Sequence, residues 1–416
     1  MDYVREPERR VPVVADADVL VCGGGIAGVA AAVCAAREGA HVMLIERYGF
    51  FGGLATGSLV ITTPPLNNGI NNEIRARLEK RETYVPTKDP GDDPATESLI
   101  GYDPEILKYE LMRMLREARV RVLLHTYIAR SLYEGRLLTG VVIENKAGRQ
   151  CVKAKMFVDA TGDGDVAASA NAPFEMAETP LPMTMMFNMV DVDTDRAIGQ
   201  LGHWGNLRRV FEEAIKSGRL EYELGLYSKG YAPGVYAATL CYPGELNVWS
   251  GSLYGKNGLN PDELTEAEFI TREHVMRMVD FLRANVAGFE KSRIEYTSTQ
   301  VGVRETRRVL GDICPTLEQV KTMVFNDTVA KPYSHMGMRV PYRSLVPIGL
   351  DNLLVAGRCI SASQDAMVQL RLIPPCFVTG QAAGTAAALA LSQRRAPRDL
   401  DIGLLRKRLS DQGMSF

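Results

Sequence analysis

Six residues, Gly23-Gly24-Gly25-Ile26-Ala27-Gly28, constrain what this chain can fold into more than any others. The apolar run at 17–22 (ADVLVC) precedes them and reads as a buried parallel strand. A small-residue helix over 26–38 follows, closed by Gly39, and a second strand over 41–45 ends on Glu46. This order predicts one βαβ half of a doubly wound sheet. The three spaced glycines serve different physical ends. Gly23 permits the tight turn, Gly25 admits a diphosphate close to the backbone, and Gly28 lets helix and strand touch. The helix start at Ile26 and Ala27 offers unpaired amides and partial positive charge to an anion. Glu46 accepts from ribose hydroxyls, which disfavours a 2′-phosphate and therefore NADP. NAD and FAD both satisfy the fingerprint.

With 416 residues the chain exceeds one ordinary core, so two domains are expected. Its 48 basic and 50 acidic side chains nearly cancel, which gives no reason to expect a nucleic acid or an anionic membrane as partner. The N-terminus lacks an apolar segment after a basic start, and runs such as 380–391 are too short and alanine-rich to span a bilayer. A cytoplasmic protein without a membrane span is the expectation. Seven cysteines are scattered, with no C-x-x-C, and five histidines are equally dispersed. Neither a disulfide framework nor a metal site is predicted.

Residues 48–100 read as loops around an amphipathic piece at 71–80. Asp103-Pro104 then starts a helix, as N-cap and first helical residue. Strand-like stretches at 120–128, 137–144 and 151–159, joined by turns, predict a β-meander laid on the parallel sheet. From about 183 the pattern changes to strands near 183–191, 235–241 and 246–250, with helices over 205–217 and 265–286. Strand character returns at 351–356, followed by long helix 375–392 and a last helix near 401–410. The predicted architecture is α/β: a Rossmann-like binding domain in two parts, 1–175 and 340–416, with an inserted α+β substrate or cap domain at 176–339.

The segment VLVCGGGIAGVAAAVCAAREGAHVMLIER, followed by FFGGLATG, resembles the opening of FAD-dependent oxidoreductases of the glutathione-reductase-like superfamily. VDATGDGDVA at 158–167 resembles the ATG-D element of the same superfamily. NLLVAGRCISASQDAMVQLRLIPPCFVTGQAAGTAAALA at 352–390 resembles the C-terminal segment of a bacterial FAD-dependent oxidoreductase family, distantly similar to fumarate reductase and succinate dehydrogenase flavoproteins. The resemblance covers about 15–185 and 295–412 and is weakest over 190–290. It implies noncovalent FAD. Arg47, Gly53, Ala55 and Thr56 would line the cofactor, and Ile128 would meet the adenine. Thr161, Gly162 and Asp163 would pass close to it, Gly357 and Arg358 would reach the ribityl chain or diphosphate, and the helix from about Pro375 would point at the flavin. Asp163 and Asp165 also suit capping of the helix behind them. Aromatic hydroxylases of the superfamily carry Gly-Asp where this chain has Gly357-Arg358, which favours hydride transfer over oxygen insertion.

Hydride transfer at flavin N5 requires alignment, a group to move a proton, or cations for an anionic substrate. QVGVRETRRVLGD at 300–312 supplies Arg304 and Arg307, and guanidinium groups fit carboxylates. Arg371 precedes the flavin-facing helix, with a salt bridge to Asp365 as its competing role. The family often has a histidine-containing stretch there, replaced here by Ser363-Gln364-Asp365. His335 is a candidate proton carrier, Tyr342 a candidate donor, and Cys376 a candidate thiol at the helix start. The function expected is an FAD-dependent dehydrogenase or reductase of a small organic substrate, an anionic one among the options. NAD(P)H, a quinone, oxygen or a carrier protein would recycle the flavin. An oxygen-using monooxygenase or oxidase, or a non-redox isomerase, are the alternatives.

Overall fold

The computed structural model describes residues 4, 8–87, 99–222, 225, 234–333 and 337–416. The apolar run ahead of the glycines forms the strand Val13–Cys22, and the small residues after them form the helix Ile26–Arg37. Val13–Cys22 lies between Val42–Ile45 and the long strand Gly148–Asp159, parallel to both. Arg121–Leu123 extends the sheet beyond Val42–Ile45, and Leu353–Val355 joins Gly148–Asp159 on its other side, again in parallel. The N-terminal half of Gly148–Asp159 pairs antiparallel with Leu137–Asn145, which pairs with Tyr127–Glu134. One seven-stranded sheet therefore contains both the parallel layer and the meander.

Register puts the strand ends flush. Cys22 pairs with Ile45 and with Asp159, and Asp159 pairs with Val355. The next residue of each strand, Gly23, Glu46, Ala160 and Ala356, faces the same cleft. In open α/β sheets ligands bind outside the carboxyl ends of parallel strands, and here four such ends converge.

The helix Ile373–Gln393 is apolar along its length and buried against the helix Ile26–Arg37. Its small residues allow this: an added methyl at Gly380 would lie 2.1 Å from Ala27 O, and one at Gly384 2.0 Å from Ala31 O. That contact draws the C-terminal segment onto the fingerprint helix. Asp103 caps Pro104–Glu117 through the amides of Glu105 and Ile106, as the sequence predicts.

The second core is built on the antiparallel sheet Val235–Thr239, Leu246–Ser250, Met186–Val190, Arg293–Thr297. Alternation sorts its two faces. Phe187, Met189, Val235, Ala237, Leu246 and Val248 pack with residues of the helices Leu207–Lys216 and Pro261–Asn285. On the opposite face Met186 and Trp249 close over Leu59, with Val60, Tyr236 and Tyr296 at the margin. The sequence-based boundary at 339/340 falls later than the packing does. Val309, Val320, Val329 and Ala330 already belong to the first core, and Arg308–Val309 pairs with Phe174–Glu175.

Candidate functional site

The glycine turn is held from behind. An added methyl at Gly23 would sit 2.4 Å from Ala160 O, and one at Gly28 1.8 Å from Gly23 O. Gly25 faces open space, with only Gly53 Cα at 4.0 Å. The second loop docks directly on the first through the amide of Gly52 to Gly24 O, 2.9 Å. Glu46 Oε2 accepts from Gly24 N at 2.6 Å and Oε1 from Tyr48 N at 2.8 Å. The carboxylate is thereby fixed with acceptor capacity left toward the cleft, where it is among the lining residues.

The cleft is open to solvent and is lined by the strand ends, the glycine turn and the second loop. Gly23, Gly25, Ile26, Ala27, Glu46 and Arg47 line it. Gly53, Ala55, Thr161, Gly162, Gly357 and Arg358 line it too, as do Val60, Thr62, Thr63, Pro64, Gln300, Arg371, Leu372, Ile373 and Cys376. Ile128 lines a smaller adjoining cavity with Glu46, Thr126, Tyr127 and Asp165.

Four expected cofactor contacts, Gly28, Thr56, Asp163 and Pro375, do not line the cleft: Gly28 packs on Gly23 O and Asp163 is held by Arg358 and Thr306. Thr56 is buried behind its loop, where its hydroxyl donates to Phe51 O at 2.7 Å. Pro375 is buried inside the first turn of the helix, which begins two residues earlier at Ile373. Leu372, Ile373 and Cys376 reach the cleft instead.

Neither Asp163 nor Asp165 caps the helix Asp165–Ser169, whose N-cap is Gly164 without a side-chain bond. Asp159 fills that role: its buried carboxylate accepts from Ala167 N, Thr161 N and Thr161 Oγ1. Burial pushes the Asp159 carboxyl up to about 6 despite these bonds. Asp163 pairs with Arg358 at 2.7 Å and accepts from the Thr306 hydroxyl. Burial would raise its carboxyl, but Arg358 and Thr306 more than offset this and hold it below the ordinary range. Arg358 lies over Gly162, whose added methyl would meet the guanidinium at 3.1 Å.

The candidates for chemistry separate. Arg371 lines the cleft and forms no bridge to Asp365, whose carboxylate is taken by Ser363 and the Ala366 amide. Arg304 is buried, donating to Pro182 O and the Thr184 hydroxyl. Arg307 turns away to pair with Asp165 at 2.9 Å. Tyr342 stands apart from the cleft: its hydroxyl donates to Pro397 O at 3.0 Å, and it lines a separate cavity with Asp312, Asp327 and Arg398. His335 lies outside the described residues. Burial pushes the Cys376 thiol up to about 12, so it is protonated at neutral pH.

Sequence reasoning missed Thr62, Thr63, Tyr48 and Gln300. The Tyr48 hydroxyl meets Gln300 Oε1, and Thr299 N donates to Gly57 O at 2.8 Å, so the second domain is seated directly on the loop Phe51–Gly57. Gln300 opens the arginine-rich segment, where the charged residues draw attention. The two threonines fall in a stretch without periodicity. Among the described residues no cluster of metal-ligating side chains exists, and no single helix is long and apolar enough to cross a membrane.

A parallel sheet with a glycine turn after its first strand and an acidic residue at the end of the next defines a dinucleotide-binding fold. The chain belongs to the FAD dependent oxidoreductase family, whose model matches residues 18–338 and 331–409. It is an enzyme that uses FAD, and the bare backbone of the cleft, with Glu46 at one end, suits that cofactor. No curated protein matches the sequence. The fold is similar to a geranylgeranyl bacteriochlorophyll reductase-like protein from Thermoplasma acidophilum (TM-score 0.55, 17% identity, 96% of this chain and 84% of that one). It is also similar to p-nitrophenol 4-monooxygenase from Pseudomonas putida (TM-score 0.51, 12% identity, 96% and 85%). A third similar structure is the myxobacterial chondrochloren halogenase (TM-score 0.52, 11% identity, 95% and 78%). These likenesses concern the fold.

Proposed function

We propose that this chain is a dehydrogenase or reductase that exchanges a hydride between a small organic substrate and noncovalently held FAD, within the glutathione-reductase-like superfamily. The observation that carries this is the pair Arg358–Asp163. Where aromatic hydroxylases of the superfamily carry Gly-Asp, this cleft has an arginine anchored on Asp163 across Gly162. A guanidinium held in place beside the cofactor can donate a hydrogen bond to negative charge developing on it, which is what accepting a hydride produces. Bound FAD would supply the hydride acceptor or donor at N5.

The protein supplies binding and exclusion of water. Glu46 and the glycine turn fix the adenosine and diphosphate end, and Ile128 borders the adenine. Met186 and Trp249, on the second sheet, pack over Leu59 beside the cleft residue Val60. Arg304, Arg371, Thr62 and Thr63 are the polar groups near the substrate. A recycling partner, NAD(P)H, a quinone, oxygen or a carrier protein, completes the cycle.

Anaerobic mixing of the FAD-loaded protein with a substrate and reductant library, followed in the flavin visible band, tests this. Bleaching without oxygen consumption is expected. Stoichiometric peroxide or oxygen incorporated into product would instead support the monooxygenase or oxidase reading, which the folds of the nitrophenol monooxygenase and the halogenase keep in view. Turnover without net redox change would identify an isomerase.

A further inference from the structure

Three polar groups that line the main cleft have no protein partner. The Nε of Arg371 is shut off from solvent without an acceptor, and the hydroxyls of Thr62 and Thr63 are likewise buried and unmatched. The Arg371 guanidinium makes no hydrogen bond or ion pair among the described residues. Arg304 stands near it; its Nη1 donates to Pro182 O and the Thr184 hydroxyl, and the residue does not itself line the cleft. Its charge is not spent: no carboxylate pairs with it among the described residues.

The acids of this neighbourhood are engaged elsewhere. Glu305 is bound to Arg308, to the Leu181 amide and to Gln364. Asp163 is bound to Arg358 and Asp365 to Ser363. Among the described lining residues the sole carboxylate is Glu46, on the glycine-turn side. Two cations are therefore held together with no carboxylate paired to either among the described residues; the acid acting on Arg371, Glu305, is bonded to Arg308 instead. Burial lowers Arg304 to about 9, with the charge of Arg371 adding to the effect. Burial also lowers Arg371 to about 10, with Arg358 adding. An uncompensated buried charge costs several kcal/mol. A protein tolerates that where a ligand supplies the counter-charge.

We infer that the substrate carries a carboxylate, which docks on Arg371 with the charge of Arg304 behind it and the hydroxyls of Thr62 and Thr63 as neutral donors. One guanidinium with a free edge suits a planar, singly charged group. A phosphate would need donors for three oxygens, and Arg304, though near, does not line the cleft. Val60, Pro64, Leu372 and Ile373 give the same cleft an apolar lining, which suits an acid with a hydrocarbon body. This inference rests on the proposed reading that the substrate occupies the cleft beside Arg371.

The test uses the oxidised FAD-loaded protein and needs no turnover. Acetate, butyrate and benzoate are titrated beside their primary amides, with inorganic phosphate and chloride as further anions, and the flavin difference spectrum is followed. Saturable perturbation by the carboxylates alone is expected, weakened at least about tenfold in R371M with FAD retained and partly restored in R371K. Equal responses to acids and amides, or tighter binding of phosphate or chloride, overturn the inference on the wild-type protein, whether or not R371M folds. A lowered midpoint potential in R371M with unchanged carboxylate affinity also overturns it, since Arg371 would then serve the flavin. Carboxylate binding without flavin reduction by any library member would sink the hydride reading and leave this inference standing.

Discussion

Glu46 ties the two loops of the cofactor site to one strand end. Its two oxygens accept from Gly24 N and Tyr48 N, so the carboxylate proposed to meet the ribose also fixes the glycine turn. Hydrogen bonds to a charged group contribute about 1.5–3 kcal/mol each. Glu46→Ala is accordingly expected to weaken FAD binding by about tenfold or more, read by titrating apoprotein with FAD and following the quenching of its fluorescence. Tyr342 gives the opposite case. Its hydroxyl donates to Pro397 O in a different cavity, so Tyr342→Phe should leave the rate of flavin reduction unchanged. It should cost about 1 kcal/mol of stability in a denaturant titration. A change in reduction rate with unchanged stability would contradict the placement of this residue.

At the scale of elements, the contact between the helices Ile26–Arg37 and Ile373–Gln393 decides whether the site assembles. Gly380 and Gly384 press on the carbonyls of Ala27 and Ala31, leaving no room for a side chain. Gly384→Val would drive the helices apart. Overpacking of this kind costs about 1–3 kcal/mol, and here the shift would also displace Leu372, Ile373 and Arg371 from the cleft. A lower melting temperature together with loss of FAD during gel filtration is expected. Retention of FAD at wild-type affinity would show that the two helices do not position the cofactor site.

For the whole molecule, the seam between the two cores carries a pH dependence. Glu245 precedes the strand Leu246–Ser250 and is buried beside Asn188, with Glu295 and Asp103 near it. Tyr242 crosses the seam to Asp103, at the start of Pro104–Glu117, at 3.0 Å. Burial, then the charges of Glu295 and Asp103, push the Glu245 carboxyl from 4.5 up to about 7. A raised carboxyl means that the folded state binds the proton more tightly than the unfolded chain. The stability this contributes is complete below about pH 4.5 and lost as pH rises through 7. Glu245→Gln does not titrate, so it should match wild type near pH 4.5 and exceed it at pH 8 by about 1–2 kcal/mol, allowing for partial solvent screening. Thermal melts across that range check it; a constant difference at all pH values would rule out titration as the cause.

The sequence by itself determined what depends on neighbours along the chain. The glycine turn, the strand ending on Glu46, the Asp103 cap and the small-residue helix at the C-terminus are local patterns with local causes, and the sheet and its meander followed from them. The fates of the charged and polar residues were decided only by the tertiary structure. Arg304, Arg307, Arg358 and Arg371 are equivalent in sequence, yet Asp163 claims Arg358, Asp165 claims Arg307, and Arg371 is left with no acid. Those partners lie far along the chain, and a hydrogen bond or ion pair is fixed by distance in space. The same reason explains why Thr62 and Thr63 were passed over and why Tyr342 was placed in the wrong cavity. Local pattern shows that a nucleotide binds and where its ribose end lies; packing between distant segments decides which cation remains to receive the substrate.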